Sequence, residues 1–81
     1  MNDEINSTQI LGAIIKRKRT QMNMSQETLA LNAKIDRSYL SEVERGLKHP
    51  TFPKVLAICE GLEMKISELV FLFEEDYYKI K

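Results

Sequence analysis

One cysteine, one histidine, two prolines and three glycines are all that this chain of 81 residues holds of the types that staple, ligate or interrupt a fold. The lone Cys59 excludes an internal disulfide, and with His49 as the single histidine a protein-built zinc site is not expected. So few glycines and prolines leave little loop. Long apolar runs are missing as well. One of the two longest extends from Leu69 to Phe73, far short of the ~20 residues that a membrane-spanning helix needs. The first residues, Met1-Asn2-Asp3-Glu4, are acidic and polar, so no secretory signal is expected and a cytoplasmic location follows. A single histidine, a single cysteine and no paired carboxylates in a pocket-forming context supply no catalytic set, so neither an enzyme nor a cofactor is expected. What remains fits one small domain, which buries about 60% of its unfolded surface. With 43% hydrophobic and 30% charged residues, it reads as a soluble globular protein rather than a disordered one.

Net charge is also absent, but its distribution is informative. From Ser7 to Lys54 there are nine Lys/Arg and four Asp/Glu, a balance of +5, whereas Val55 to Lys81 carries −3 and residues 1–6 carry −2. A basic middle between acidic ends suits a nucleic-acid-facing surface with a part held away from it. Scatter in a short chain is the alternative until motifs are placed.

No stretch alternates with a period of two, so the pattern is helical throughout. Ser7 is a good N-cap for a first helix, with Leu11, Ile14, Ile15, Lys18 and Met22 on one face and Asn23 able to end it. Lys16-Arg17-Lys18-Arg19 wrap its last turns, where cations suit the helix dipole. Ser25 caps a second, short helix with Leu29, Ala30 and Ala33 as its apolar members. Asp36 caps a third that runs to Arg45, buries Leu40 and Val43, and stops at Gly46. After a loop from Leu47 to Pro50, Thr51 caps a fourth helix with the stripe Phe52, Val55, Leu56 and Cys59, ended by Gly61. A fifth starts near Lys65 or Ile66 with Ile66, Leu69, Val70, Phe73 and Tyr77 in line. Met22, Met24, Met64 and Cys59 are read as core. The expected division is a flexible segment 1–6, a helical domain 7–73 that carries the motif described next, and a tail 74–81 that either extends the fifth helix or frays.

Two short helices joined by a tight turn, Gln26–Ala33 and Arg37–Arg45, form a helix-turn-helix candidate. Ala30 is small where the helices cross, and Ile35, Leu40 and Val43 fill the space between them. Such a unit lifts its second helix clear of the surface, where it can enter a major groove about 12 Å wide. With Leu40 and Val43 inward, the outer face carries Arg37 at the tip, then Ser38, Ser41, Glu42 and Arg45. Arg37 suits a bidentate contact to guanine, Ser38 and Ser41 a base edge or phosphate, and Glu42 the amino group of cytosine. An ordinary solvated helix face is the alternative, and the helix-turn-helix spacing weighs against it.

Gln26-Glu27-Thr28-Leu29-Ala30, then Ile35-Asp36-Arg37-Ser38-Tyr39-Leu40-Ser41, then Val43-Glu44-Arg45-Gly46 together resemble the Cro and phage-repressor type of helix-turn-helix, also called the xenobiotic-response-element type. The resemblance extends over roughly Leu11 to Val70. It implies a compact all-α bundle of five helices that binds operator DNA as a homodimer. By matching position it implies base reading by Arg37, Ser38 and Glu42 with Ser41 near them, and phosphate contacts from Ser25, Gln26 and Arg45. It leans toward phosphate for Tyr39, whose ring can equally pack along the bundle. It also implies an ion pair between Arg19 and Glu44, tying the first helix to the third. The family usually has glycine where this chain has Lys34, at a site of positive φ that costs another residue roughly 1 kcal/mol. Asp36 to Ser41 look especially like controllers of restriction–modification operons.

In the loop after the third helix, Lys48 is a phosphate candidate and His49 a weaker one. Phe71 and Leu72 fall off the apolar stripe of the fifth helix, so they are expected to be exposed and to form a dimer interface, unless Tyr77, Tyr78 and Ile80 fold back over them. Two-fold pairing would set the reading helices about 34 Å apart, one turn of DNA. The expected partners are therefore an inverted-repeat double-stranded DNA operator and a second copy of the chain, with no membrane, no metal and no small-molecule ligand. No ligand-sensing domain is expected beside this one. The competing reading is a protein-interaction module, antitoxin- or antirepressor-like, that keeps the fold without operator binding. Exposed Phe71 and Leu72 suit it, whereas the Arg-tipped polar face does not.

Overall fold

Five helices follow one another in a computed structural model that describes residues 7–80: α1 (Ser7–Gln21), α2 (Gln26–Ala33), α3 (Arg37–Glu44), α4 (Phe52–Gly61) and α5 (Ile66–Ile80). No strand occurs among the described residues. The expected flexible segment 1–6 lies outside them. Ser7 is already helical, so it does not serve as the N-cap expected of it. α1 lies between α3 and α5, and α2 packs chiefly on α4.

The core is one cluster. Ile10, Ile14 and Ile15 of α1 meet Leu29, Ala30 and Ala33 of α2, Leu40 and Val43 of α3, Ile58 and Cys59 of α4, and Leu62, Met64 and Leu69. Met22 and Met24 pack half-buried at its edge. Burial pushes the Cys59 thiol up, aided by the nearby Glu68 charge, so it stays protonated as a small apolar filler.

Three turns place non-glycine residues at positive φ: Asn23 at 56°, Lys34 at 60° and Glu63 at 56°. The first two fall where the sequence predicts a helix stop. The third corrects Gly61, which is not the stop after α4 but its last helical residue, and the left-handed turn follows at Glu63. Gly61 is small for another reason. A Cβ there would lie 2.8 Å from Leu29 Cδ1 and 3.3 Å from the Ala33 nitrogen, so it marks the close approach of α2 to α4. Gly12 plays the same part between α1 and α3, where a Cβ would come 2.2 Å from the Val43 carbonyl oxygen.

The apolar stripe of α4 is rotated from its predicted position, and that of α5 differs at one residue. On α4 the buried side is Ile58, Cys59 and Leu62 with Val55 half-buried, while Phe52 is 64% exposed and Leu56 37%. On α5 Ile66, Leu69, Phe73 and Tyr77 face the core as predicted and Leu72 joins them half-buried, whereas Val70 is 47% exposed. Leu72 therefore does not stand out as predicted, although Phe71 does. α5 continues through the segment expected to extend or fray. Asp76 accepts a hydrogen bond from Arg17 Nη1 at 3.4 Å, and Tyr77 stacks on Phe73.

Candidate nucleic-acid interface

The site is built on α2 and α3, and their placement follows from caps and a turn. The Ser25 hydroxyl accepts from the Thr28 amide at 3.0 Å, which satisfies one free N–H of the first turn of α2. α2 ends at Lys34, whose left-handed backbone lets its N–H reach the carbonyls of Ala30 and Leu31. The Ile35 amide then bonds the Ala30 carbonyl at 2.9 Å, and Asp36 starts α3 with its backbone alone, since its side chain makes no cap bond. At the far end Gly46, at φ 78°, reverses the chain.

Burial of Leu40 and Val43 fixes the rotation of α3. Arg37 and Ser38 are exposed at its N-terminal end, Ser41 and Glu42 are half-exposed below them, and exposed Arg45 follows. These predicted reading residues thus share the solvent side of one helix. Arg45 Nε turns back to the Ser41 carbonyl at 3.4 Å, and Lys48 stands 4.0 Å from Glu42. Exposed pairs of this kind contribute little and leave both partners free to exchange for a ligand.

Beneath the face lies a buried ion pair. Arg19 donates from Nε to Glu44 Oε2 at 2.6 Å and from Nη2 to Oε1 at 3.0 Å, and its Nη1 holds the Met24 carbonyl at 2.8 Å. Both residues are buried, and the two-pronged geometry with the bond to Met24 uses a donor on each of the three guanidinium nitrogens. Removing one partner would leave a buried charge, at a cost of about 3–5 kcal/mol. This pair fixes the height and tilt of α3 against α1.

Three predicted residues have more internal structure than their assigned roles require. Gln26 does not extend freely: its Nε2 donates to Glu44 Oε1 at 2.9 Å and its Oε1 accepts from Arg37 Nη1 at 3.3 Å. Tyr39 packs its ring half-buried against the core, with Lys54 Nζ 5.6 Å from the ring centre. Lys54 was not singled out in the sequence, where only its nearness to Thr51 and the start of α4 marked it. His49 is exposed, but its Nδ1 lies 2.7 Å from Thr8 Oγ1, a hydrogen bond that ties the loop after α3 to the first turn of α1.

A second feature lies beside that loop. Leu11, Phe52, Val55, Ile66, Val70 and Phe73 line an apolar groove of about 380 Å³, with His49 and Pro50 at its rim. Phe71 and Leu72 instead border a smaller hollow that includes Lys18 and Glu68. Among the described residues no helix is long and apolar enough to cross a membrane, and no cluster of His, Cys, Asp or Glu is arranged to hold a metal ion.

A helix-turn-helix family model matches residues 15–69, which span all of α2, α3 and α4. The chain is 29% identical over 59 residues to the transcriptional regulator ClgR of Mycobacterium tuberculosis, across 73% of this chain and 53% of that protein. It thus spans about half the length of ClgR. It is 30% identical over 61 residues to the control protein C.MunI of a Mycoplasma species, across 75% of this chain and 82% of that protein. In structure it is similar to the restriction–modification controller protein C.Esp1396I, solved as a tetramer in complex with its natural 35 base-pair operator. The TM-score is 0.86 at 27% identity, over 93% of this chain and 99% of that one.

Proposed function

The chain belongs to the helix-turn-helix family, of the Cro and phage-repressor type, and from that premise we propose that it is a transcription regulator acting as a homodimer on an inverted-repeat operator, with α3 in the major groove. The observation that carries this reading is the outer side of α3. Arg37, Ser38, Ser41 and Glu42 lie there on the solvent side, with side chains of the types that bond base edges, on a helix that a buried ion pair ties to α1. Arg37 is assigned to a guanine. Ser25, Tyr39, Arg45 and Lys48 are assigned to phosphates, together with Lys54 beside Tyr39. Phosphate neutralisation supplies affinity that falls steeply with salt.

The dimer is assigned to the groove between α4 and α5 rather than to Phe71 and Leu72. Phe52 and Val70 are exposed there beside the loop that leaves α3, so two-fold pairing brings two reading helices close. Residues 7–73 hold the whole unit, and the acidic continuation of α5 lies against α1. The likeness to C.MunI and C.Esp1396I supports control of a restriction–modification operon as the setting, in the cytoplasm.

Selection of randomised duplex DNA on the purified protein tests this reading. An inverted repeat with half-sites about one turn apart is the expected outcome, and Arg37→Ala should relax one position of each half-site by about 1–3 kcal/mol. A bound pool with no common sequence at low salt would overturn it.

A further inference from the structure

The chain leaves α3 through a doubly bonded reversal. The Gly46 amide bonds the Val43 carbonyl at 3.0 Å, and the Leu47 amide reaches one residue further back, to the Glu42 carbonyl at 2.9 Å. With Gly46 at φ 78° this is the Schellman arrangement. In it the residue after the left-handed one commonly packs on an apolar side chain one turn back along the helix. Here that position is Glu42, with Ser41 before it, and neither offers an apolar cover. Leu47 is accordingly 62% exposed. Single exposed leucines are ordinary on a protein surface. This one is set apart by its place. Its backbone is bonded to Glu42, one of the reading residues, and the Lys48 ammonium that follows it stands 4.0 Å from the Glu42 carboxylate. Arg45 and Lys48 carry charge suited to phosphate, whereas a leucine between them gives up any such contact.

We infer that Leu47 is a specificity-determining residue that contacts the C5-methyl group of a thymine in each half-site. This rests on the reading given above, with α3 in the major groove, and adds to it a residue outside that helix. The thymine methyl is the apolar group that base pairs present in that groove, beside donors and acceptors that a leucine cannot bond. Contact with it takes apolar surface of both partners out of water, and the same side chain against a cytosine or purine edge gains less. Leu47 therefore acts on the ratio between sequences, whereas Lys48 beside it acts on all of them alike. The eight residues of α3 rise about 12 Å and separate Leu47 from Arg37 at the other end, so the two meet different base pairs.

The probe is the best-bound duplex from the selection, synthesised with deoxyuridine in place of thymidine at one symmetric pair of positions at a time. Base pairing is kept and only the methyl is lost. At one thymine per half-site, other than at the base pair that Arg37→Ala relaxes, the replacement should weaken binding by the parent about fourfold for each methyl removed. Leu47→Ala and Leu47→Ser should bind the thymine duplex more weakly by a similar factor and should bind the thymine and uracil duplexes equally. Arg37→Ala should keep the parent's response to the replacement. Leu47 is exposed, so its variants are expected to fold, and an unchanged urea midpoint checks this. Half-sites with no thymine beyond the pair that Arg37→Ala relaxes would overturn the inference. So would a uracil replacement that costs the parent and both Leu47 variants alike. If Leu47→Ala weakens every duplex by one factor, uracil-containing ones included, Leu47 is a sugar–phosphate contact and the inference fails. A bound pool with no common sequence removes the reading of α3 and this inference with it. An inverted repeat whose thymine methyls make no difference to Leu47 removes this inference alone.

Discussion

Lys34 holds φ 60° and ψ 44° in the turn between α2 and α3, a conformation that places Cβ against the following carbonyl. The turn accepts that strain because two backbone carbonyls of α2 are satisfied there and the Ile35 amide closes back on Ala30. Glycine would remove the strain, worth about 1–2 kcal/mol, but would add freedom to the unfolded chain, worth about 0.4–1 kcal/mol. The first effect is larger. Lys34→Gly should therefore raise stability by about 0.5–1 kcal/mol, measured as a higher urea midpoint at unchanged slope. No gain, or a loss, would mean that the lysine adopts this turn without strain. Asn23, also at positive φ, is already of a type that tolerates it, so the same substitution there should change less. These residue-scale features differ in how visible they are beforehand. Lys34 and the Arg19–Glu44 pair follow from resemblance to a family pattern. The orientation of Gln26 does not, because it depends on which groups Glu44 and Arg37 present once α2 and α3 are docked.

Element boundaries are legible in this sequence, and element rotation is less so. Ser25, Asp36 and Thr51 mark the starts of α2, α3 and α4: all three hold the extended backbone that residue types of this kind favour before a helix, and Ser25 adds a side-chain cap bond that Asp36 and Thr51 do not make. Which side of a helix is buried depends on its neighbours. α4 with its C-cap is apolar at Phe52, Val55, Leu56, Ile58, Cys59 and Leu62, so two stripes about 60° apart are equally continuous. The choice between them is made by α2, which lies so close to Gly61 that only the Ile58–Cys59–Leu62 side can face it. α3 offers no such ambiguity, with two inward apolar residues on an otherwise polar helix, and its rotation is read directly. The glycines give the test. At Gly12 a new Cβ would meet the backbone of Val43 and Glu44 at 2.2 and 2.8 Å, so α1 and α3 must separate. At Gly61 the first obstacle is the end of the Leu29 side chain, and helix propensity returns up to about 1 kcal/mol. Gly12→Ala should cost about 3 kcal/mol or more, and Gly61→Ala about 1 kcal/mol or less, by denaturant unfolding. Equal costs would show that the α1–α3 crossing is as adaptable as the α2–α4 one.

The molecule measures 37 × 23 × 22 Å, and that size bears on how two copies would meet DNA in the proposed dimer. Reading helices about 34 Å apart lie about 17 Å from a two-fold axis, less than one width of the chain. The contact surface must therefore border the same end of the bundle as α3. The groove lined by Phe52, Val70 and Phe73 does so, because His49 and Pro50 at its rim belong to the loop that leaves α3. Phe71 faces a different hollow, flanked by the charges of Lys18 and Glu68, which makes it a poorer site for desolvation. Two substitutions on neighbouring residues of α5 separate these surfaces. Val70→Glu places a charge in the groove and should give monomers in sedimentation equilibrium with the helical signal intact. Phe71→Ser should leave the dimer in place. Affinity for a full inverted repeat should fall at least tenfold in Val70→Glu, since each half-site is then bound alone. A half-site duplex should be bound by both variants as by the parent. Apolar contact and phosphate contact also respond differently to salt, so the dimer should persist at ionic strengths that release DNA. If Phe71→Ser dissociates the dimer and Val70→Glu does not, the two-fold axis runs past the other side of α5, and the spacing of half-sites would have to be longer than one turn.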